Sequence, residues 1–215
     1  MTSQPGAMAP RVPAATLADV AVPAIGRVEA AQWLRAALLV VGGAALTAIS
    51  AQIVWFAPWN PLVPYTFQTA SVLLVGTVLG LRLGLASMLL YVAAGAAGLG
   101  VFADGSSGLA ADGALRASVG YLGGFVLAGA LVGWLAERGW DRSPVSTIGL
   151  MVLGNLVIYA VGVPVLIAVT GLDLATALQV GALDFVPWDL IKIAAAAALL
   201  PLAWRAVGSD EAHRP

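Results

Sequence analysis

The stretch FVPWDLIKIAAAAALLPLAW, residues 185–204, has the composition of a transmembrane helix but contains two charged residues. A helix needs about 20 mainly apolar residues to cross a bilayer core, and Pro187 suits its first turn, where the missing N–H costs nothing. Asp189 and Lys192, at positions i and i+3, share one face of this helix. Because a charge at the centre of a span costs roughly 2.5–3.5 kcal/mol, such residues normally face the bundle interior and mark a functional site. The alternative is an ion pair that only neutralises both charges.

The whole chain has the same membrane character. Of its 215 residues only 10% are charged, and the mean hydropathy is +0.95, whereas about a quarter of the residues in soluble domains are charged. The length favours a single domain. With no cysteine and one histidine, His213, the sequence excludes disulfides, thiolate chemistry, histidine-based metal or haem sites and Ser–His catalysis. The net charge of −1 is uninformative by itself, and no basic cluster suggests a nucleic-acid partner.

Six stretches are long and apolar enough to predict transmembrane helices. They cover residues 34–54, 67–83, 85–102, 119–136, 147–169 and 186–204. The second and third are separated only by a short turn and predict a tight helical hairpin. The sequence thus predicts an all-α membrane domain over 34–204. It is flanked by an N-terminal tail, 1–33, that is disordered or lies at the membrane surface, and by a C-terminal tail, 205–215.

The placement of arginine predicts the orientation. With the N-terminus in the cytoplasm, eight of the ten cationic residues fall on the cytoplasmic side, the bias typical of membrane proteins. These eight are Arg11, Arg27, Arg35, Arg82, Arg138, Arg142, Arg205 and Arg214. Arg116 falls in an outside loop and Lys192 within a span, whereas the outside loops carry Asp104, Asp112, Asp173 and Asp184. Both termini are therefore predicted to be cytoplasmic.

Glycines at four-residue spacing, such as Gly120/Gly124 and Gly129/Gly133, predict close packing of helices within the chain. No Gly-rich loop followed by Lys-Ser/Thr is present, so a pump built on this chain would take its energy from another subunit. Residues 104–108, DGSSG, contain the Gly-x-Ser-Gly pattern of intramembrane serine proteases. Without a histidine base, however, a turn is the better interpretation.

Two further segments carry hydrogen-bonding side chains. PWNPLVPYTFQT, residues 58–69, favours an interfacial anchor, with a lid over a pocket as the alternative. Its neutral polar groups next to the second helix are Thr66, Gln68 and Thr69. Asn155 and Tyr159, at i and i+4 on the fifth helix, can add uncharged hydrogen bonds opposite the charged pair.

Five segments together resemble a known family. They are VPYTFQT (63–69), VFADGSSGLAA (101–111), VGYLGGF (119–125), GNLVIYAVG (154–162) and PWDLIK (187–192). Their order and spacing are similar to those of the BioY family, the substrate-binding S components of energy-coupling-factor biotin transporters. The resemblance covers about residues 34–204.

This resemblance implies a six-helix protein of the cytoplasmic membrane that binds biotin near its external face. It implies no enzymatic activity and no cofactor besides the transported ligand. A separate transmembrane coupling subunit and two ATPases power transport in the family, and the small-residue motif that contacts the coupling subunit is best matched here by Ala44 and Ala48. The implied ligand-binding residues are Asp189, Lys192, Tyr159, Asn155, Phe102, Asp104, Gly108, Tyr121, Thr66 and Gln68.

The chain departs from the family in one loop. Where the family usually has Gly-Pro-Thr-Gly-Gly-Tyr, this chain has RASVGY, residues 116–121, and Asp104 replaces a frequent asparagine. An S component for another vitamin therefore stays open as an alternative. Two alternatives from other classes are a membrane enzyme that uses Asp189 and Lys192 as acid and base, and a scaffold subunit without a ligand.

Overall fold

The computed structural model describes residues 16–22, 29–111 and 113–211. Its helices are α1 (Leu17–Ala21), α2 (Glu29–Ala51), α3 (Gln68–Ala96), α4 (Val119–Ala136), α5 (Pro144–Thr170), α6 (Leu174–Gly181) and α7 (Val186–Glu211). Two antiparallel hairpins pair β1 (Val54–Ala57) with β2 (Asn60–Thr66) and β3 (Ala110–Ala111) with β4 (Ala114–Leu115). Short 3-10 helices cover Ala103–Gly105 and Leu183–Phe185. Several residues used for the predictions lie outside the described residues, namely Arg11, Arg27, Asp112, His213 and Arg214.

Within the described chain, five helical segments are long and apolar enough to cross a membrane: Glu29–Ala51, Gln68–Ala96, Val119–Ala136, Pro144–Thr170 and Leu174–Val207. The predicted boundaries agree with α4 at both ends and with the start of α7. The predicted span 85–102 is too long at its C-terminal end, since the helix stops at Ala96. Gly98 then adopts φ +103°, a backbone conformation that ends helices and favours glycine.

The segment α3 is a helical hairpin. At Gly80 the backbone takes φ 78° and ψ −178°, which interrupts the helix. The Gln68 side chain, at the start of the first arm, donates from Nε2 to the Tyr91 hydroxyl at 2.5 Å near the end of the second. The two arms therefore run antiparallel, as predicted, but the turn lies at Gly80 and not at residue 84, between the predicted spans. The second arm is capped by Glu137, whose Oε1 accepts from the Leu81 N–H at 2.8 Å, so that a donor left open at the helix start is satisfied.

Glycine allows α4 to pack between this hairpin and α5. A Cβ on Gly133 would lie 2.5 Å from the carbonyl carbon of Gly80, and one on Gly124 would lie 2.9 Å from the Cα of Ile158. Only a residue without a side chain permits backbones to approach this closely. The prediction of packing within the chain is confirmed at these positions, and the core is built around α4.

The segment around α1 packs at the end of the bundle that carries the Gly80 turn. Thr16 and Asp19 form a capping box around α1, and Leu17 is buried against the helices. Arg35 donates from Nη2 to the Ala18 carbonyl at 2.7 Å and lies 3.6 Å from the Asp19 carboxylate. The tail predicted for residues 1–33 thus contains a folded segment at 16–22.

The all-α prediction is wrong for the connection between α2 and α3. Here β1 and β2 form an antiparallel hairpin with Val54 opposite Thr66 and Trp55 opposite Tyr65. Aromatic and β-branched side chains favour strands because they fit a pleated, half-buried surface. The short helix α6, which lies between α5 and α7, was not predicted either.

The close packing of α4 at Gly133 predicts that a larger residue at this position destabilises the protein. Gly133→Ala is expected to lower the free energy of unfolding by about 1–3 kcal/mol, since the added methyl group meets backbone atoms that cannot move aside. The measurement is the apparent melting temperature in detergent. Gly42→Ala is the control, because nothing lies within 4 Å of its Cβ position. Equal melting temperatures for the two variants would contradict this packing.

Candidate functional site

One cavity lies among α3, α4, α5 and α7 at the end of the bundle that carries the β1–β2 hairpin. It encloses about 670 Å³ of atom-free space, part of which is open to solvent. Its lining is Val63, Pro64, Thr66, Gln68, Thr69, Phe102, Ala103, Ser106, Arg116, Ser118, Tyr121, Leu122, Phe125, Tyr159, Phe185 and Lys192. A largely apolar wall with a few convergent polar groups is typical of sites for small organic ligands.

The charged pair of α7 lies at this cavity. Lys192 contributes its ammonium group to the lining, whereas Asp189 is only 5% exposed and lies behind it, outside the lining. Lys192 Nζ and Asp189 Oδ1 are 3.3 Å apart. The Tyr159 hydroxyl donates to the other carboxylate oxygen, Oδ2. The prediction that the pair shares an inward face is confirmed.

The ammonium of Lys192 also binds the start of α3. Its Nζ donates to the Thr66 carbonyl at 3.1 Å and to Thr69 Oγ1 at 2.7 Å. Together with the bond to Asp189, these contacts use the three N–H donors of a lysine. The two residues therefore form an ion pair, as in the alternative interpretation, and Lys192 is also part of the cavity wall.

Aromatic side chains complete the wall. Tyr121 donates its hydroxyl to the Gly181 carbonyl at 2.7 Å, which holds its ring beneath α6. The ring of Phe102 packs against Gly95, where a Cβ would collide with it, and meets Tyr91 edge-on at 5.5 Å between centroids. The ring positions thus depend on glycine and on contacts between distant parts of the chain.

The loop from Phe102 to the start of α4 supplies the only other charged group of the described lining, Arg116. Its Nη2 donates to the Ser107 carbonyl at 3.1 Å, and its Nε is buried without a hydrogen-bond partner. The loop is held from outside by Gln52, at the end of α2. The Gln52 side chain accepts from the Gly105 N–H at 2.9 Å and donates to the Phe102 carbonyl at 3.2 Å.

The β1–β2 hairpin covers the cavity and is fastened to the α6–α7 connection. Asn60, fully buried, donates from Nδ2 to the Val180 carbonyl at 2.7 Å and to Asp184 Oδ2 at 3.3 Å. Tyr65 stacks on Phe185 at 4.4 Å and donates to the Asp184 carbonyl at 3.2 Å. Burial raises the pKa of the Tyr65 phenol, so it remains a neutral donor. The lid interpretation of this segment therefore fits the structure better than the anchor alone.

The predicted binding residues divide into two groups. Those that line the cavity are Lys192, Tyr159, Phe102, Tyr121, Thr66 and Gln68. Asn155 instead borders a smaller space beneath Lys192, where its Oδ1 is buried without a partner. Asp104 is exposed at φ 57°, and Gly108 fixes the loop by donating its N–H to the Gly95 carbonyl at 2.8 Å.

Several lining residues were not predicted, among them Arg116, Phe125 and Phe185. Phe125 follows Tyr121 at i+4 on α4, so its place on the same helix face was a signal in the sequence. Phe185 and Arg116 lie in connections, and no periodic pattern reports the direction of such side chains.

Ala44 and Ala48, the residues expected to contact a coupling subunit, lie on a face of α2 that packs within this chain. Ala44 is 8% exposed and belongs to the core of this chain, and Ala48 packs partly against it. On this face of α2, Gly43 closely approaches Ser87 of the second arm of α3. Small residues let these helices pack tightly, so the alternative of packing within the chain applies to Ala44.

A model of the BioY family matches residues 19–209. The chain belongs to the BioY family. The match includes all the long helices and the whole lining of the cavity. This BioY-family chain is a multi-pass protein of the cell membrane.

Two relatives and one solved structure show what this BioY-family chain is similar to. It is 41% identical to "Probable biotin transporter BioY" of Lysinibacillus sphaericus over 57% of this chain and 60% of that protein, which is less than two thirds of the relative's length. It is 39% identical to "Biotin transporter BioY" of Thermotoga maritima over 65% of this chain and 79% of that protein. The fold is similar to that of the S-component for biotin from an ECF-type ABC transporter. That similarity has a TM-score of 0.68 and 21% identity and covers 84% of this chain and 95% of the other.

The buried pair predicts a stability pattern. Lys192→Met is expected to destabilise the ligand-free protein by roughly 3–5 kcal/mol, because the Asp189 carboxylate then stays buried without its cation. The double variant Asp189→Asn/Lys192→Met removes both charges and is expected to recover much of this loss. Chemical denaturation in detergent measures both. A double variant less stable than Lys192→Met alone would contradict a paired burial of the two charges.

Proposed function

We propose that this chain is the biotin-binding S component of an uptake transporter in the cell membrane. The observation that carries the proposal is the cavity itself, in which the family's segments on α5 and α7 meet beneath the β1–β2 hairpin. The curated relatives named above as biotin transporters support the choice of ligand. The fold, shared with an S-component for biotin, supports the role.

The chemistry of the cavity suits biotin. The thiophane ring and the valeryl chain of biotin are apolar and can pack on the rings of Phe102, Tyr121 and Phe125. The ureido group offers N–H donors and one carbonyl acceptor. Lys192 and Tyr159 are the polar groups contributed to the lining by α7 and α5. Tyr159 is the natural partner of the ureido group, because its hydroxyl donates to Asp189 and its oxygen can still accept from a ureido N–H.

Asp189 is proposed to act through its neighbours. Its carboxylate accepts from Tyr159 and Lys192 and is almost fully buried. These contacts support a positioning role for Asp189, in which it orients the Tyr159 hydroxyl and holds the ammonium, more than direct acceptance from the ureido N–H groups. The acid–base enzyme alternative has little support, since all three ammonium donors are engaged with protein acceptors.

The energy for transport is proposed to come from a transmembrane coupling subunit and a pair of ATPases. The sequence lacks a nucleotide-binding motif of its own, and the chain resembles an S-component in fold. Its surface toward the coupling subunit is proposed to include the lipid-facing side of α2, where Leu38, Gly42 and Leu46 are exposed.

Six membrane crossings with both termini in the cytoplasm complete the proposal. The two arms of α3 count as separate crossings because they fold back at Gly80. Arg35 contacts α1, which packs against the Gly80 turn together with Glu137, and Arg82 follows that turn. Arg116 lies instead with the cavity at the opposite end. This separation supports the positive-inside orientation.

The binding proposal is tested with the purified chain in detergent. Biotin is expected to bind with a measurable heat in titration calorimetry and to raise the melting temperature, because ligand binding stabilises only the folded state. Thiamine and riboflavin serve as comparison vitamins. Binding of one of them without binding of biotin would favour an S component for another vitamin. A protein that binds none of the three would contradict the proposed ligand site.

The orientation is tested with a reporter enzyme that is active only outside the cytoplasm. A fusion after residue 214 is expected to be inactive. A fusion to the chain truncated after Gly171, behind α5, is expected to be active, because five crossings place that residue outside. Activity of the full-length fusion would contradict a cytoplasmic C-terminus.

A further inference from the structure

Arg116 is a cation among the residues that line the cavity. It occupies the first position of RASVGY, residues 116–121. It lines the cavity from the connection between β4 and α4. Its Nη2 is held by the Ser107 carbonyl at 3.1 Å, which fixes the guanidinium.

The guanidinium has an unused donor. The Nε of Arg116 is buried and has no hydrogen-bond partner. A buried donor without a partner is unfavourable, and most such groups in native proteins are satisfied by protein, water or a ligand. Nη2 carries a second N–H besides the one that the Ser107 carbonyl accepts, and guanidinium donors bind carboxylates through charge-assisted hydrogen bonds.

Lys192 differs in this respect. Its donors are taken by Thr66, Thr69 and Asp189, and its charge is balanced by the adjacent carboxylate. Among the described residues that line the cavity, the charged ones are Arg116 and Lys192. Arg116 is therefore the cation available to a ligand anion.

We propose that Arg116 binds the carboxylate of the ligand and makes the site selective for the acid over its neutral derivatives. This inference rests on the proposed function, in which the ligand is biotin. It assigns the valeryl end of the ligand to the β4–α4 connection and leaves Lys192 to the network with Asp189 and Tyr159.

The test compares biotin with biotinamide, which differs only in the charged group. Affinities are measured by titration calorimetry for the unchanged chain, Arg116→Met, Arg116→Lys and Lys192→Met. Arg82→Met is the matched control, since Arg82 is an exposed arginine beyond the Gly80 turn. The unchanged chain and the control are expected to prefer biotin by roughly ten- to a hundredfold, the range of charge-assisted hydrogen bonds.

Arg116→Met is expected to weaken biotin by that factor and biotinamide little, so the preference disappears. Arg116→Lys keeps the charge without the two-donor edge and is expected to retain part of the preference, which also reports on the site if the methionine variant does not fold. Lys192→Met is expected to weaken both ligands equally.

The outcomes separate this inference from the proposed function. If the unchanged chain and Arg82→Met bind neither ligand, the proposed function itself is overturned. If they bind biotin but do not prefer it to biotinamide, Arg116 does not read the carboxylate. An unchanged preference in Arg116→Met, or equal losses for both ligands and hence an unchanged preference in Arg116→Lys, likewise overturns the role of Arg116 and leaves biotin binding intact.

Discussion

The hydrogen bonds of one buried ammonium organise the end of this protein that contains the cavity. Lys192 on α7 binds the Thr66 carbonyl and the Thr69 hydroxyl at the start of α3, and the carboxylate that balances it receives the Tyr159 hydroxyl from α5. An ion within a membrane-spanning helix is expensive unless its charge is paired and its donors are satisfied. The two helices and the start of α3 must therefore converge at this point, and their convergence forms one wall of the cavity.

The rest of the bundle is held together by close packing of helix backbones and not by buried polar groups. Lipid provides little hydrophobic drive for helix association, so packing depends on small residues that bring backbones together. The Gly80 turn folds α3 into two arms, and Gly133 and Gly124 let α4 lie against the hairpin and α5. The helices pack tightly where they contact one another. The described cavity above Lys192 therefore lies at the end of the bundle that loops and the β1–β2 hairpin close.

The two cations of the described cavity lining differ in their hydrogen bonds. Lys192 has its partners within the protein, whereas the fixed guanidinium of Arg116 retains a buried donor without a partner among the described residues. Under the proposed contact with the ligand carboxylate, this difference distinguishes the two ends of an elongated ligand, because only Arg116 gains a partner on binding.

The sequence by itself determined the membrane class, the boundaries of α4, the start of α7, the α3 hairpin and the shared inward face of Asp189 and Lys192. These follow from composition and from helical periodicity, which act over a few neighbouring residues. Only the tertiary structure decided that Lys192 lines the cavity while Asp189 lies behind it, that Ala44 is buried, and that the α2–α3 connection forms a strand hairpin. It also decided that Arg116 reaches the site. Each of these depends on contacts between residues far apart in the chain, and no local pattern specifies which backbone atom will meet a given side chain.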